Sequence, residues 1–256
     1  MNPTHTKIIP AIDLLDGRVV RLYKGRYDDS TIYETTPAEM ISQFASQGAR
    51  RIHIVDLNAA RNGDVSINRS ARDEALRAAA ESEAQLEIGG GVRSIETAEK
   101  YLNAGFHYVI IGTAAVKNPD LVDELITRFG PHRVIVGVDA EGDLVKVSGW
   151  EESSDLTIAA YLERLKHQSV DEIIFTDIAT DGTLAGPPVA KIKHILANHQ
   201  FRFIASGGIS SIDDVKSLLD LSKAEELKGS LAGIITGKAI YEGKLNLADA
   251  VAVAKE

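Results

Sequence analysis

Asp13, in IIPAIDLLDG, and Asp139, in VIVGVDAEG, each close an apolar run rich in Ile and Val and are followed shortly by glycine. Two carboxylates facing one another over a cavity can act as general base and general acid, provided their surroundings keep one ionised and the other protonated. A lone aspartate at such a place is as readily a helix cap or a surface charge; the matched settings of these two argue for a shared task. Glycines form the second set. Gly89, Gly90 and Gly91 follow one apolar run, Gly112 with Thr113 another, Gly207 with Gly208 a third, and Gly237 with Lys238 a fourth. Glycine lets the backbone approach an anion closely, and a following helix N-terminus offers free N–H groups. One such pair needs no more than a tight turn. Four in corresponding places suit a ligand with a phosphate at each end.

The third set is polar. Thr176, Asp177 and Asp181 stand in FTDIATDGT. Thr176 is placed to hydrogen-bond a carboxylate or a substrate. Asp181 either binds a sugar or amine or opens the Asp181-Gly182 turn, and as a third carboxylate it competes with Asp139 for the acid role. Trp150, the only tryptophan, lies in VSGWEESS, where its ring can stack on a ligand or cover apolar surface. Arg18, five residues after Asp13, is a candidate phosphate partner. The histidines show no metal-ligand spacing; His53, inside an apolar run, reads as a satisfied interior residue. There is no G-x-S-x-G nucleophile elbow.

These residues need elements to hold them. Eight runs, at 8–14, 51–57, 85–90, 108–112, 134–140, 172–178, 201–208 and 231–237, are apolar almost throughout rather than alternating. Strands buried on both faces read this way. Helical patterns lie between them at 37–48, 94–105, 118–130, 155–168, 211–221 and 245–256. Pro37 opens the first and Gly48 closes it; Ser94 is a candidate N-cap and Gly105 a stop. Alternation of this kind predicts parallel βα units. At 256 residues the chain has the size of an α/β eight-stranded (β/α) TIM barrel, about 250 residues, whose reactive groups sit at the C-terminal strand ends. The alternative is a doubly wound open sheet, but the first strand leads into Leu15-Asp16-Gly17-Arg18 rather than a dinucleotide fingerprint. One domain is expected, with 221–230 a polar insertion before the last strand. It divides into halves of about 1–130 and 131–256: AIDLLDGRVV echoes GVDAEGDLVKV, GGGVRSIE echoes SGGISSID, and VIIGTAAV echoes GIITGKAI, in order and roughly half a chain apart.

Composition excludes several classes. Apolar residues make up 44% and charged residues 25%, as in ordinary globular proteins and unlike disordered, collagen-like or coiled-coil chains. No stretch reaches the roughly 18 apolar residues of a membrane span, and the opening residues lack a leader's apolar core, so a cytoplasmic protein without a membrane partner is expected. The absence of cysteine excludes a disulfide scaffold and thiolate-held zinc or iron–sulfur. A net charge of −9 argues against a nucleic-acid surface but allows a small anion bound by backbone N–H groups.

IIPAIDLLDGRVVRLYKG, HIVDLNAA, EIGGGVRS, VIIGT, SGW, TDIATDGT and ASGGISS, in this order over essentially the whole chain, resemble the histidine-biosynthesis aldose–ketose isomerases, the phosphoribosylformimino-5-aminoimidazole carboxamide ribotide isomerase family. The resemblance implies a barrel of two similar halves, two phosphate sites and no cofactor. It implies an Amadori rearrangement of a bis-phosphorylated aminoaldose, ProFAR, to its aminoketose, PRFAR, with Asp13 as base and Asp139 as acid. Arg18, Trp150, Thr176 and Asp181 would contact substrate, and Gly90, Gly91, Gly112, Thr113, Gly207, Gly208, Gly237 and Lys238 its phosphates. A monomer is expected. Two relatives share the pattern. The cyclase subunit of imidazole glycerol phosphate synthase typically has Cys before its first catalytic Asp, where Ile12 stands here. The dual-substrate isomerase that also serves tryptophan biosynthesis typically has Arg before Gly-Trp, where Ser148 stands here. A non-catalytic phosphosugar-binding barrel would keep the glycines without needing both Asp13 and Asp139.

Overall fold

A computed structural model describes residues 6–23, 25–224 and 226–255. Residues 1–5, which begin the stretch read for a leader and include His5, and Glu225 of the expected polar insertion lie outside the described residues. The strands are β1 (Lys7–Leu15), β2 (Arg18–Tyr23), β3 (Arg26–Ile32), β4 (Arg51–Asp56), β5 (Gln85–Gly89) and β6 (Tyr108–Ile111). They continue as β7 (Val134–Glu141), β8 (Leu144–Val147), β9 (Glu152–Thr157), β10 (Glu172–Asp177), β11 (Arg202–Ser206) and β12 (Ser230–Thr236). Eight of these close a parallel barrel in the order β1, β4, β5, β6, β7, β10, β11, β12 and back to β1. Each coincides with one of the eight apolar runs, so the fold is the (β/α) TIM barrel.

The other four strands form two antiparallel excursions, β2–β3 after β1 and β8–β9 after β7. They occupy corresponding places in the two halves of the chain. The helices are α1 (Pro37–Ser46), α2 (Leu57–Asn62), α3 (Arg69–Ser82), α4 (Ile95–Ala104), α5 (Thr113–Lys117) and α6 (Asp120–Phe129). After them come α7 (Ile158–His167), α8 (Val189–Asn198), α9 (Ile212–Ser222), α10 (Lys238–Tyr241) and α11 (Leu247–Val253). Local chemistry sets the helix ends. Thr36 and Glu39 form a capping box at α1, and Ser211 and Asp214 form one at α9. Ser94 caps α4 and Gly105 ends it in the left-handed conformation.

The sequence reading lacks β2, β3, β8 and β9 and the helices α2, α3, α5, α8 and α10, and it starts one helix too early. The expected helix at 155–168 starts only at Ile158, capped by Thr157, because 152–157 pairs with β8 as β9. Helix α3 escapes the periodicity search because its buried face is largely alanine, Ala71, Ala75, Ala78 and Ala79, which contrasts weakly with its polar face.

Apolar packing occupies two shells. Ile9, Ala11, Ile110, Ile135, Ile174 and Ile204 fill the middle of the barrel, and a larger cluster fills the space between strands and helices. Toward the N-terminal strand ends the interior is ionic. Arg51 is 2% exposed and pairs with Glu87 and, at 2.5 Å, with Glu172. This layer floors the barrel and leaves the opposite mouth for chemistry. No helix among the described residues is long and apolar enough to cross a membrane.

Candidate active site

Asp13 stands in β1 beside Val55 of β4 and Val20 of β2, at the C-terminal end of the barrel. Its cation is Arg21, at 3.1 Å. This differs from the sequence reading: Arg18 is exposed at the first position of β2, whereas Arg21 reaches back over the mouth. The Arg21 guanidinium lies over the Tyr241 ring, 5.6 Å from its centroid, and occupies the space a side chain at Gly237 would need. Burial opposes its charge, yet Asp13, Tyr241 and Asp181 together hold its pKa above the ordinary arginine value.

Asp139 lies across the barrel on β7, in register with Thr176 of β10. The Trp150 indole N–H donates to its Oδ2 at 2.9 Å. Burial raises the Asp139 pKa, opposed by hydrogen bonds from Trp150 and Thr176 and by the charge of His53. Asp181, in the turn after β10, is pushed up to about 6. Burial is the main cause; Asp13 and Asp139 add to it, while Arg21 and Lys238 oppose it. The structure therefore groups Asp13, Asp139, Thr176, Trp150 and Asp181 around one mouth.

Trp150 does more than the sequence suggests. Ser148, Gly149 and Trp150 have φ of 56°, 66° and 76°, a run of left-handed residues that two non-glycines adopt only under restraint. The restraints are visible: the Ser148 N–H donates to Thr113 Oγ1 at 2.9 Å, and Lys117 Nζ donates to Ser148 Oγ at 3.0 Å. A side chain at Gly25, at the tip of the β2–β3 excursion, would come within 2.8 Å of the Trp150 ring. The two excursions thus meet over the barrel mouth.

The glycines divide into two kinds. A Cβ on Gly90 would run into the Asp56 carbonyl, and one on its half-chain counterpart Gly207 would come within 3.0 Å of the Asp177 carbonyl. Both have positive φ, 99° and 93°. Close backbone crossing is a reason for glycine at each, and Gly91 and Gly208 sit in the same crowded turns. The residues whose carbonyls cross there are themselves fixed by matched ion pairs, Asp56 to Arg72 of α3 and Asp177 to Lys191 of α8, the latter at 2.5 Å. Gly112 is different. It is the N-cap residue of α5, and among the described residues no atom lies within 4 Å of where its Cβ would be. Its counterpart Gly237 is the N-cap residue of α10, with Arg21 over it. One turn has open space and the other a cation, and both arrangements suit an approaching anion. Lys238 donates to the Gly182 carbonyl at 3.0 Å, tying this turn to the loop that holds Asp181.

His53 is a satisfied interior residue, its Nδ1 2.6 Å from Glu87 Oε1. Two residues of the mouth, Arg21 and Tyr241, escape the sequence reading. Asp16-Gly17 marks the hairpin that folds β2 back over the mouth, but it does not say that Arg21 rather than Arg18 reaches Asp13. Tyr241, whose hydroxyl donates to the Ala11 carbonyl at 3.1 Å, lies in a helix of only four residues.

Residues 7–246 match the family described as Histidine biosynthesis protein. The chain belongs to this family. It is 44% identical to a relative from Magnetococcus marinus over 97% of this chain and 98% of that one. It is also 44% identical to one from Chromohalobacter salexigens, covering 95% and 94%, and 39% identical to one from Leptospira biflexa, covering 96% of each. Each of these is named an imidazole-4-carboxamide isomerase, with one 5-phosphoribosyl and one 5-phosphoribosylamino group in the name. The chain is accordingly an enzyme, an isomerase of histidine biosynthesis.

Proposed function

We propose that this chain converts the bis-phosphorylated aminoaldose ProFAR to the aminoketose PRFAR by an Amadori rearrangement. The observation that carries this reading is the pairing of a cation-bound carboxylate, Asp13 with Arg21, with a carboxyl whose pKa is raised, Asp139, in one mouth. Asp139 protonates the ribose ring oxygen and the ring opens to a Schiff base. Asp13 removes the C2 proton, and the resulting enolamine tautomerises to the aminoketose. Thr176 and Trp150 hold Asp139 in place. The names of the relatives, with their two phosphoribosyl groups, support a ligand with a phosphate at each end. One phosphate would lie at Gly90, Gly91, Gly112 and Thr113, the other at Gly207, Gly208, Gly237 and Lys238, with the chain acting as a monomer and needing no cofactor.

A specific observation favours a second assignment of the acid. The pKa of Asp181 is raised to about 6, near where a group can give and retake a proton at neutral pH. The pH dependence of Trp150→Phe separates the two. This change keeps a ring but deletes the N–H that stabilises ionised Asp139. The Asp139 pKa then rises further, so the group stays protonated to higher pH. With Asp139 as acid, the alkaline limb of kcat moves to higher pH. An unmoved limb, together with its disappearance in Asp181→Asn, assigns the acid to Asp181.

Specificity is expected to be narrow. Phosphoribosylanthranilate carries a carboxylate and a single phosphate, and a site for it needs a cation where Ser148 stands. Arg18 is exposed on the other excursion, Lys146 is paired with Glu141 at 2.9 Å, and Lys117, whose Nζ donates to Ser148 Oγ, is paired with Glu152 at 2.9 Å, so none of them replaces it. A missing charge-assisted bond costs about 1.5–3 kcal/mol, or about 10- to 150-fold in affinity. Steady-state assays on both substrates should give a kcat/KM for phosphoribosylanthranilate lower by at least that factor; comparable values would show a dual-substrate enzyme.

A further inference from the structure

The excursion that brings Arg21 over Asp13 is fastened from behind by two asparagines. Its turn, Asp16-Gly17, has φ of 50° and 76°, the geometry of a two-residue hairpin with both central residues left-handed. Such turns ordinarily sit in solvent. Here both N–H groups are taken by protein. Asp16 N–H donates to Asn58 Oδ1 at 2.9 Å, and Gly17 N–H donates to Asn68 Oδ1 at 2.8 Å. Asn58 returns its amide to the Asp16 carboxylate at 2.8 Å. The Asn68 amide lies 2.7 Å from the carboxylate of Asp56, the residue whose backbone carbonyl backs Gly90. Asn68 also occupies the N-cap position of α3, where an asparagine ordinarily caps the helix. Its side chain makes no capping bond there and is fully buried against the turn instead.

We propose that Asn58 and Asn68 are positioning residues. They fix the β1–β2 turn so that Arg21, farther along β2, stays between Asp13 and the backbone of Gly237. The proposal rests on the assignment of Asp13 and Arg21 to the catalytic mouth. A helix cap diverted to a surface turn, and a turn whose N–H groups are both claimed by buried side chains, fit a hairpin whose seat matters to the residue it carries.

The test is a double-mutant comparison. Asn58→Ala and Asn68→Ala are each made alone and in an Arg21→Ala background, with kcat and KM measured per folded enzyme. Each single change is expected to lower kcat/KM about 10-fold or more, the scale on which misplacing a group in an active site is felt. In the Arg21→Ala background neither should lower it further, because the group they position is gone. A merely structural role has no such dependence. An equal loss with and without Arg21 overturns the proposal. Should Asn68→Ala fail to fold, Asn58→Ala carries the comparison alone. Wild-type activity in Arg21→Ala would overturn both this proposal and the assignment of the site beneath it, whereas a large loss there with additive asparagine effects overturns the proposal only.

Discussion

Asp13→Asn is expected to lower kcat by about 10²- to 10⁴-fold, the range that a positioned acid or base contributes, with KM changed little. The amide is nearly isosteric and leaves Arg21 in place, so the mouth keeps its shape. What is lost is the only property the proposed chemistry asks of Asp13, a lone pair basic enough to take the C2 proton. Because Arg21 loses its carboxylate partner at 3.1 Å, it is freer to meet a phosphate. Binding of the substrate should therefore be retained or tightened. Rapid-quench turnover together with equilibrium binding separates the two quantities. A variant that turns over at the wild-type rate removes Asp13 from the mechanism.

The second large effect is on stability. Arg51→Met should destabilise the fold by about 3–5 kcal/mol, the cost of breaking a buried ion pair by removing one partner. Arg51 lies between Glu87 and Glu172 and stacks on the Tyr108 ring, 4.0 Å from its centroid. Burial alone would raise the Glu87 pKa; Arg51 and His53 outweigh it and hold the carboxyl below its ordinary range. A carboxylate with a lowered folded pKa contributes stability that is present at neutral pH and lost as pH falls through that value. Without Arg51, burial acts on Glu87 with less opposition, so its folded pKa moves up and the group takes a proton at higher pH. The deficit of Arg51→Met relative to wild type should therefore shrink as pH falls from the raised Glu87 pKa of the folded variant through the lowered one of folded wild type, since the unfolded chains titrate alike at Glu87 and cancel. Urea midpoints at neutral and acid pH give both numbers. An equal deficit at both would show that the lost packing of Arg51, rather than its charge, carries the effect.

The parts of this molecule legible from sequence are those in which local pattern and tertiary role coincide. A continuous apolar run ending in Asp13 or Asp139 predicts both a buried strand and a polar group at its mouth end, and the barrel places both there. The half-chain echo extends to Ser94 and Ser211 as helix caps and to the paired excursions. What stayed hidden depends on contacts that no local spacing encodes. Arg18 is nearer to Asp13 in sequence, but Arg21 is nearer in space because β2 turns back antiparallel to β1. Residues 155–157 share a helical period with 158–167, yet pairing with β8 makes them strand. Gly90 and Gly207 read as anion cradles, and the structure adds a second reason for them in the carbonyls of Asp56 and Asp177. Asn68 stands where a helix cap belongs and serves a turn far away in sequence.

Whether this barrel is the proposed isomerase is decided by giving the bis-phosphorylated aminoaldose to the purified wild-type chain and separating the products by chromatography. The aminoketose should accumulate catalytically, over many turnovers per chain. Tight binding of the aminoaldose with no aminoketose formed would contradict the proposed chemistry, and would make the barrel a phosphosugar-binding protein instead.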